Sequence, residues 1–517
     1  MEKWTLKEKI GQMFVIAFAG EEVTPELHEA IVEWNIGGVI LFQRNLRDVK
    51  KVIRLNRDIQ EVAKKHGRPP LWISIDQEGG GISYLWDGMV LSPGNMLIGA
   101  TGNKAYAYEA AKSMGEQLRN LGFNMNYAPN IDVNNNPNNP VIGARAFGDQ
   151  ADKVSAFGIE AVKGYHEAGI LAVAKHFPGH GDTEVDSHLG LPIVDKSIEE
   201  LEINELLPFK ENIDSGLEAI MTAHIVFPQI DPEYPATLSK RILHELLREK
   251  YQFDGLIITD SMEMHAISKY VGRELGAVKA IEAGADIILA CGKDLASQVA
   301  MIERVIDAIE AEELELLIVN QALQRIHYSK EKWLSNILEP SLEKVTLKQT
   351  NYQETMKRIA AEGITLQRNP QNLIPFSYNQ QIKILSQSTY NDENYMGDRK
   401  SLVKEIFAGP QYEVFYLEEA NPSQVEVKHF LNSISASDVV VLLINERRKL
   451  DRAWIEAYQS IKHVTAQVVV VSLWNPFIDQ TYRDIIFDHY LTTYSQTPEV
   501  MMTLKELLEG KHVFAGK

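Results

Sequence analysis

Cysteine is all but missing from this chain of 517 residues. Cys291 stands alone, so no disulfide can form within the chain and oxidising conditions add nothing to its stability. Its setting, Ala-Asp-Ile-Ile-Leu-Ala-Cys-Gly, reads as a buried strand and not as the surroundings of a nucleophile. Long apolar runs are missing too. The one near the N-terminus, residues 13–19, is too short for a signal-peptide core with its cleavage site and far too short to span a bilayer. On this reading the chain is cytoplasmic, or secreted or cell-wall associated if a signal segment once preceded it. Positive charge is in deficit: 52 Lys and Arg against 71 Asp and Glu give a formal net charge of −19. That balance disfavours nucleic acid and anionic membrane as principal partners. There is no internal repeat, low-complexity tract, Walker-type loop or dinucleotide loop.

What is present is the composition of a globular protein, 45% hydrophobic and 24% charged, in a chain long enough for two cores. The first 300 residues hold eight short apolar, β-rich runs, at 14–19, 38–42, 71–76, 124–131, 171–176, 219–224, 255–260 and 286–290. Amphipathic patterns such as 48–63 and 197–207 lie between them. Strand and helix alternating at this spacing point to a parallel sheet, and eight units point to a closed (β/α)8 barrel, with a large doubly wound sheet as the alternative. Residues 297–363 are helical in pattern, with a break at Asn336-Ile-Leu-Glu-Pro-Ser-Leu. Further strand-like runs follow at 382–385, 414–417, 439–443 and 468–473, as in a smaller α/β sandwich. The expected division is a barrel over residues 1–335, a helical connection over 336–368 and a second domain over 369–517.

The chemistry-bearing residues cluster at the C-terminal ends of the barrel runs: Asp76, Lys175 with His176, His224 and Asp260. In a (β/α)8 barrel that rim carries the active site, because loops from several strands converge there. A charged residue after a strand can also be a plain helix cap, but four at the same end favour a site. The densest segment is Ala174-Lys-His-Phe-Pro-Gly-His-Gly-Asp-Thr-Glu-Val-Asp-Ser-His188. His176 and His180 have the spacing of a helical zinc pair, yet Pro178 and Gly179 between them spoil a helix, so no metal is expected. Asp186 and His188 suit a proton shuttle, the carboxylate holding one ring nitrogen while the other exchanges a proton. A loop-bracing pair is the alternative. Asp260, closing the seventh run, would be a rigid carboxylate at the barrel mouth, able to attack an anomeric carbon. Glu263 ranks below it because it should begin the next helix.

These segments together resemble the bacterial β-N-acetylglucosaminidases of glycoside hydrolase family 3. The resemblance runs through Ile75-Asp-Gln-Glu-Gly-Gly80, Asn139-Pro-Val-Ile-Gly-Ala-Arg-Ala-Phe-Gly148, Lys175-His-Phe-Pro-Gly-His-Gly-Asp-Thr, Asp186-Ser-His188, Glu205-Leu-Leu-Pro-Phe209, Pro235-Ala-Thr-Leu-Ser239 and Thr259-Asp-Ser, in family order. Glu362-Gly-Ile-Thr-Leu-Gln-Arg-Asn369 is similar to the segment that opens the second domain of two-domain members. The resemblance implies Asp260 as nucleophile, His188 as acid/base and Asp186 as its partner. It further implies that Asp76, Arg145, Lys175 and His176 bind the N-acetylglucosamine unit, without metal or cofactor. The Asp186-Ser-His188 loop selects the hexosaminidase branch over the β-glucosidases. One departure stands out: where the family has Arg-Val, one residue and a second Arg, this chain has Gly81-Ile-Ser-Tyr84, and weaker substrate binding is expected.

The implied reaction is retaining release of terminal N-acetylglucosamine from peptidoglycan-derived fragments, in cell-wall turnover and recycling. Chitin oligosaccharides and glycoconjugates present the same terminal unit. A phosphorylase or transglycosylase would share these residues. A non-catalytic sugar-binding barrel would be expected to lack one of Asp260, His188 and Asp186, and all three are present.

Overall fold

Each apolar run of the N-terminal half forms a short strand buried along its whole length. In the computed structural model, which describes residues 4–292, 294–337, 339–390, 399–480 and 486–516, these are β1 Phe14–Ile16, β2 Gly38–Ile40, β3 Trp72–Ile75 and β4 Met125–Asn126. They continue as β5 Leu171–Ala172, β6 Ala174–Phe177, β7 Ala219–Thr222, β8 Leu256–Ile258 and β9 Ile288–Ala290. Parallel pairing runs from β9 through β1, β2, β3 and β4 to β5, and separately from β6 through β7 to β8. β5 and β6 are halves of one barrel strand. The bridges Asn130↔Lys175 and Ile258↔Ile287 join the two sheets into an eight-stranded (β/α)8 barrel.

The helices follow from local chemistry. Val49–Lys65 starts where the Asp48 carboxylate accepts from the backbone N–H groups of Lys50 and Lys51, a cap worth about 1 kcal/mol. Its buried residues Val52, Leu55, Ile59 and Ala63 recur at helical spacing and face the barrel, while its lysines and arginines stay outside. The pattern at 197–207, which reads as one helix, is two: Ile198–Ile203 and Leu207–Asp214. The chain breaks between them because buried Glu205 turns inward to accept from Lys196 Nζ (2.5 Å) and Asn135 Nδ2 (2.8 Å).

The second sheet comprises β10 Thr365–Arg368, β11 Ile382–Gln387, β12 Tyr412–Leu417, β13 Val439–Ile444, β14 Val468–Ser472 and β15 His489–Thr492. Its order is β10-β15-β14-β13-β11-β12, parallel throughout except for the antiparallel pair β10 and β15. Alternate residues of β13 face opposite layers. Val439, Val441 and Leu443 pack with Val500, Leu504 and Leu507 of helix Pro498–Leu508. Val440, Leu442 and Ile444 pack with Trp454, Ile455 and Tyr458 of helix Arg452–Lys462. A strand buried on both faces is uniformly apolar, which is why 439–444 reads as an unbroken hydrophobic run. β10 lies within the segment that reads as a connection, and it forms the edge of this sheet.

The second unit leans on the C-terminal face of the barrel. Arg447 Nη2 donates to the Val141 carbonyl (3.2 Å), Arg448 Nη2 to Asp186 Oδ2 (3.2 Å), and Trp474 covers Gly81. A Cβ at position 81 would lie 1.5 Å from the Trp474 ring. Glycine there is therefore a packing requirement of the domain contact, which any larger side chain would violate.

Candidate active site

Asp76, Arg145, Lys175, His176, His188 and Asp260 line one cavity of about 500 Å³ at the C-terminal mouth of the barrel. That volume suits a small molecule. Asp76 follows β3 directly, Lys175 and His176 lie on β6, and Asp260 stands two residues beyond β8. Arg145 comes from the short turn Gly143–Arg145. Ile40, Met221 and Leu289 form apolar wall between them.

One side of the cavity is a buried charge network. Lys175 Nζ donates to Asp76 Oδ1 (2.6 Å) and contacts Glu78 Oε1 at 2.7 Å. Arg145 grips Glu78 through Nε (3.0 Å) and Nη2 (2.8 Å). Burial would raise the Glu78 carboxyl, but Arg145 and Lys175 outweigh it and hold the group far below the usual carboxylate range. Asp76 goes the other way, raised by burial against the pull of Lys175. Lys175 is raised: burial alone would lower it, and Asp76 and Glu78 prevail.

His176 is fixed from behind. Its Nδ1–H donates to Asp132 Oδ2 (2.7 Å), and Arg145 Nη2 approaches its Nε2 at 3.3 Å, so the network assigns the Nδ1-protonated tautomer. Asp132 also accepts from the backbone N–H groups of His176 (3.1 Å) and His180 (2.7 Å), tying the loop to the strand. His180 faces Thr183 and Ser187 instead, and burial lowers it to about 4. The His176 and His180 rings meet edge to face at 5.6 Å, with their nitrogens turned to different partners. Among the described residues no group of three or more His, Cys, Asp or Glu is placed to hold a metal ion.

The opposite side carries the Asp186–His188 pair. His188 Nδ1 donates to Asp186 Oδ1 (2.8 Å), which also accepts from the His188 backbone N–H (2.9 Å). The His188 side chain is 32% exposed and that of Asp186 only 1%. Asp186 thus stands behind the ring, outside the cavity wall. Burial would raise its carboxyl, yet the His188 hydrogen bond and charge hold it far below the usual range. With Nδ1 engaged, Nε2 is the ring atom able to exchange a proton with a ligand. Asp260 accepts from the Ser261 N–H (2.6 Å). Burial pushes Asp260 up, but His224, His176 and His188 outweigh it and leave it lowered. His224 sits beneath, donating to or accepting from Thr237 Oγ1 (2.7 Å) and donating to the Ser261 carbonyl (2.9 Å).

The sequence alone does not single out Glu78, Asp132 or Arg448. Glu78 and Asp132 carry a signal that could have found them, being acidic residues placed, like Asp76, just past barrel strands. Arg448 carries none, since it is 262 positions from Asp186. Glu263 also lines the cavity, with its carboxylate held in an ion pair with Arg273 (3.0 Å). Cys291 borders the cavity one residue beyond β9, partly buried, and burial pushes its thiol up.

Comparison with known proteins identifies the family. The model of the glycosyl hydrolase family 3 N-terminal domain matches residues 5–328. Beta-hexosaminidase A of Pseudoalteromonas piscicida is 35% identical over 380 residues, covering 69% of this chain and 63% of its own length, just under two thirds. A beta-hexosaminidase of Idiomarina loihiensis is 33% identical over 302 residues, 58% of this chain and 89% of its own. The solved structure of a glycoside hydrolase family 3 beta-N-acetylglucosaminidase from Paenibacillus sp. superposes with a TM-score of 0.90 at 35% identity, over 99% of this chain and 98% of that one. The chain belongs to glycosyl hydrolase family 3, with the barrel and α/β unit of its two-domain members. Among the described residues no helix is long and apolar enough to cross a membrane.

Proposed function

We propose that the protein is a retaining exo-β-N-acetylglucosaminidase that works through a glycosyl-aspartate intermediate. Asp260, kept ionised by the imidazoles around it, attacks the anomeric carbon. His188 gives the leaving oxygen its proton, and Asp186 orients the ring and stabilises the imidazolium. Water then enters with His188 as base, releasing the sugar with its anomeric configuration kept. Asp76, Lys175, Arg145 and His176 supply the donors and acceptors that fix the hydroxyls and acetamido group of N-acetylglucosamine. The substrates are fragments of peptidoglycan turnover, with N-acetylglucosamine β-linked to a muramic acid sugar. The names of the relatives support hexosaminidase activity.

The observation that carries this reading is the 2.8 Å Asp186–His188 contact on the wall of the cavity that also holds Asp260. Hydrolysis of p-nitrophenyl N-acetyl-β-D-glucosaminide by wild type, Asp260→Ala and His188→Ala tests it, with the p-nitrophenyl β-glucoside as control. Turnover confined to the N-acetyl substrate and abolished in Asp260→Ala is the expected result. Equal turnover of the glucoside would sink the specificity, and an active Asp260→Ala would sink the mechanism. Release of N-acetylglucosamine 1-phosphate in phosphate buffer would turn the assignment to a phosphorylase.

A further inference from the structure

A second cavity, of about 440 Å³, lies beside the first, between barrel loops and the second domain, and Tyr84 is wall to both. Trp86 and Asp87 line it from the barrel, Tyr390, Arg399 and Lys400 from the second sheet's side. Arg399 is the unusual member. Its guanidinium stacks 4.1 Å from the Trp86 ring centre, and Nη2 donates to the Ser83 carbonyl, which also accepts from Trp86 Nε1 (2.8 Å). Its Nε and Nη1 are buried and, among the described residues, have no hydrogen-bond partner. Buried donors without partners are costly, and those of a cation more so.

Among the described residues, Lys400 and Arg47 line the cavity with Arg399, Arg47 lying 3.6 Å from Glu21, and Asp87 supplies a carboxylate. Burial pulls Arg399 down to about 9, with Asp87 and Tyr84 acting weakly the other way. An acid entering here would give the orphaned donors an acceptor in a charge-assisted bond. Tyr84 and Tyr390 add aromatic rings to the wall, as sugar-binding pockets often do.

We propose that this cavity receives the aglycone, and that the aglycone it selects is an acidic sugar whose carboxylate meets Arg399. The proposal rests on the hexosaminidase reading above, which places the non-reducing sugar in the first cavity. A leaving unit that passes Tyr84 then reaches Arg399.

The test compares two disaccharides that differ in one acidic group, N-acetylglucosaminyl-β-1,4-N-acetylmuramic acid and N,N′-diacetylchitobiose, in wild type and Arg399→Gln. Wild type should favour the acidic disaccharide in kcat/KM. Arg399→Gln should lower the acidic-to-neutral ratio about tenfold, chiefly through KM, as expected for one charge-assisted bond. Arg399→Lys should recover part of it, and Lys400→Gln, at an exposed position, should lower the ratio by a smaller factor even if Arg399→Gln does not fold. Ratios unchanged in all three variants overturn the subsite. If wild type fails on p-nitrophenyl N-acetyl-β-D-glucosaminide, the hexosaminidase reading has failed by itself. Calorimetric titration of free N-acetylmuramic acid against its methyl ester then decides the subsite. Preference for the acid, lost in Arg399→Gln, supports it; equal affinities overturn it.

Discussion

Replacing Asp186 by Asn isolates the role of one buried charge. The amide keeps the side chain's shape, so the loop closed by the Leu189 and Gly190 N–H bonds to the Asp186 carbonyl has no reason to move. What disappears is a carboxylate 2.8 Å from His188 Nδ1, at a position only 1% exposed. An opposite charge about 4 Å away is worth about 4 kcal/mol at an effective dielectric of about 20. The imidazolium formed or consumed during proton transfer loses that support, so kcat on an unactivated disaccharide should fall roughly 10³-fold. Arg448, 45% exposed, contributes far less through its bond to Asp186 because solvent screens it. The assay is kcat on N,N′-diacetylchitobiose beside the p-nitrophenyl glycoside, whose leaving group needs little help from a proton. The disaccharide should lose much more rate than the aryl glycoside. Equal losses on both, or a disaccharide loss below about threefold, well under 1 kcal/mol, would refute the proton-transfer role.

Three further outcomes follow from the same contacts. Glu78→Gln leaves Lys175 and Arg145 buried with a carboxylate fewer, and should cost about 3–5 kcal/mol in denaturant unfolding. Because the folded-state Glu78 is depressed, its contribution is present above the unfolded value of about 4.3 and drains as pH falls below it. Asp76, raised by burial, acts in the opposite sense, so Glu78→Gln should flatten the acid-side loss of stability measured by thermal melts. Gly81→Ala forces the Trp474 ring aside and should cost about 1–3 kcal/mol, with Trp474→Ala in the same chain removing most of that penalty. Tyr84→Arg places a guanidinium on the cavity wall and should lower KM for the N-acetylglucosaminide; unchanged kinetics would mean that Tyr84 serves packing, as in its edge-on contact with Phe42, 5.8 Å away.

The barrel was legible because each of its strands is buried on both faces and therefore appears as an apolar run with a polar residue just past its end. The same rule picked out Asp76, His224 and Asp260 just past their strands, and Lys175 with His176 on β6. It failed at β10 and β15 of the second sheet. β10, the antiparallel edge of its sheet, buries Thr365, half-buries Leu366 and Arg368 and exposes Gln367, and no apolar run announces it. β15 opens with His489 and closes with Thr492, polar residues that are fully buried only because the sheet surrounds them. Trp474 on Gly81, Arg448 on Asp186 and Arg399 beside Trp86 come from the packing of one domain on the other. No local pattern encodes such contacts. The glycine at 81 was visible as a departure from the family, but the Trp474 ring packed on it lies almost 400 positions away in the chain.

The proposed mechanism requires Asp260 to become covalently bound to the sugar. The most direct measurement is to trap the enzyme with a fluorinated N-acetylglucosaminide whose second step is slow, digest it, and locate the adduct by mass spectrometry. One sugar on the peptide carrying Asp260, absent from Asp260→Ala, is the expected result. A sugar on any other residue, or no adduct together with a product of inverted configuration, would contradict it.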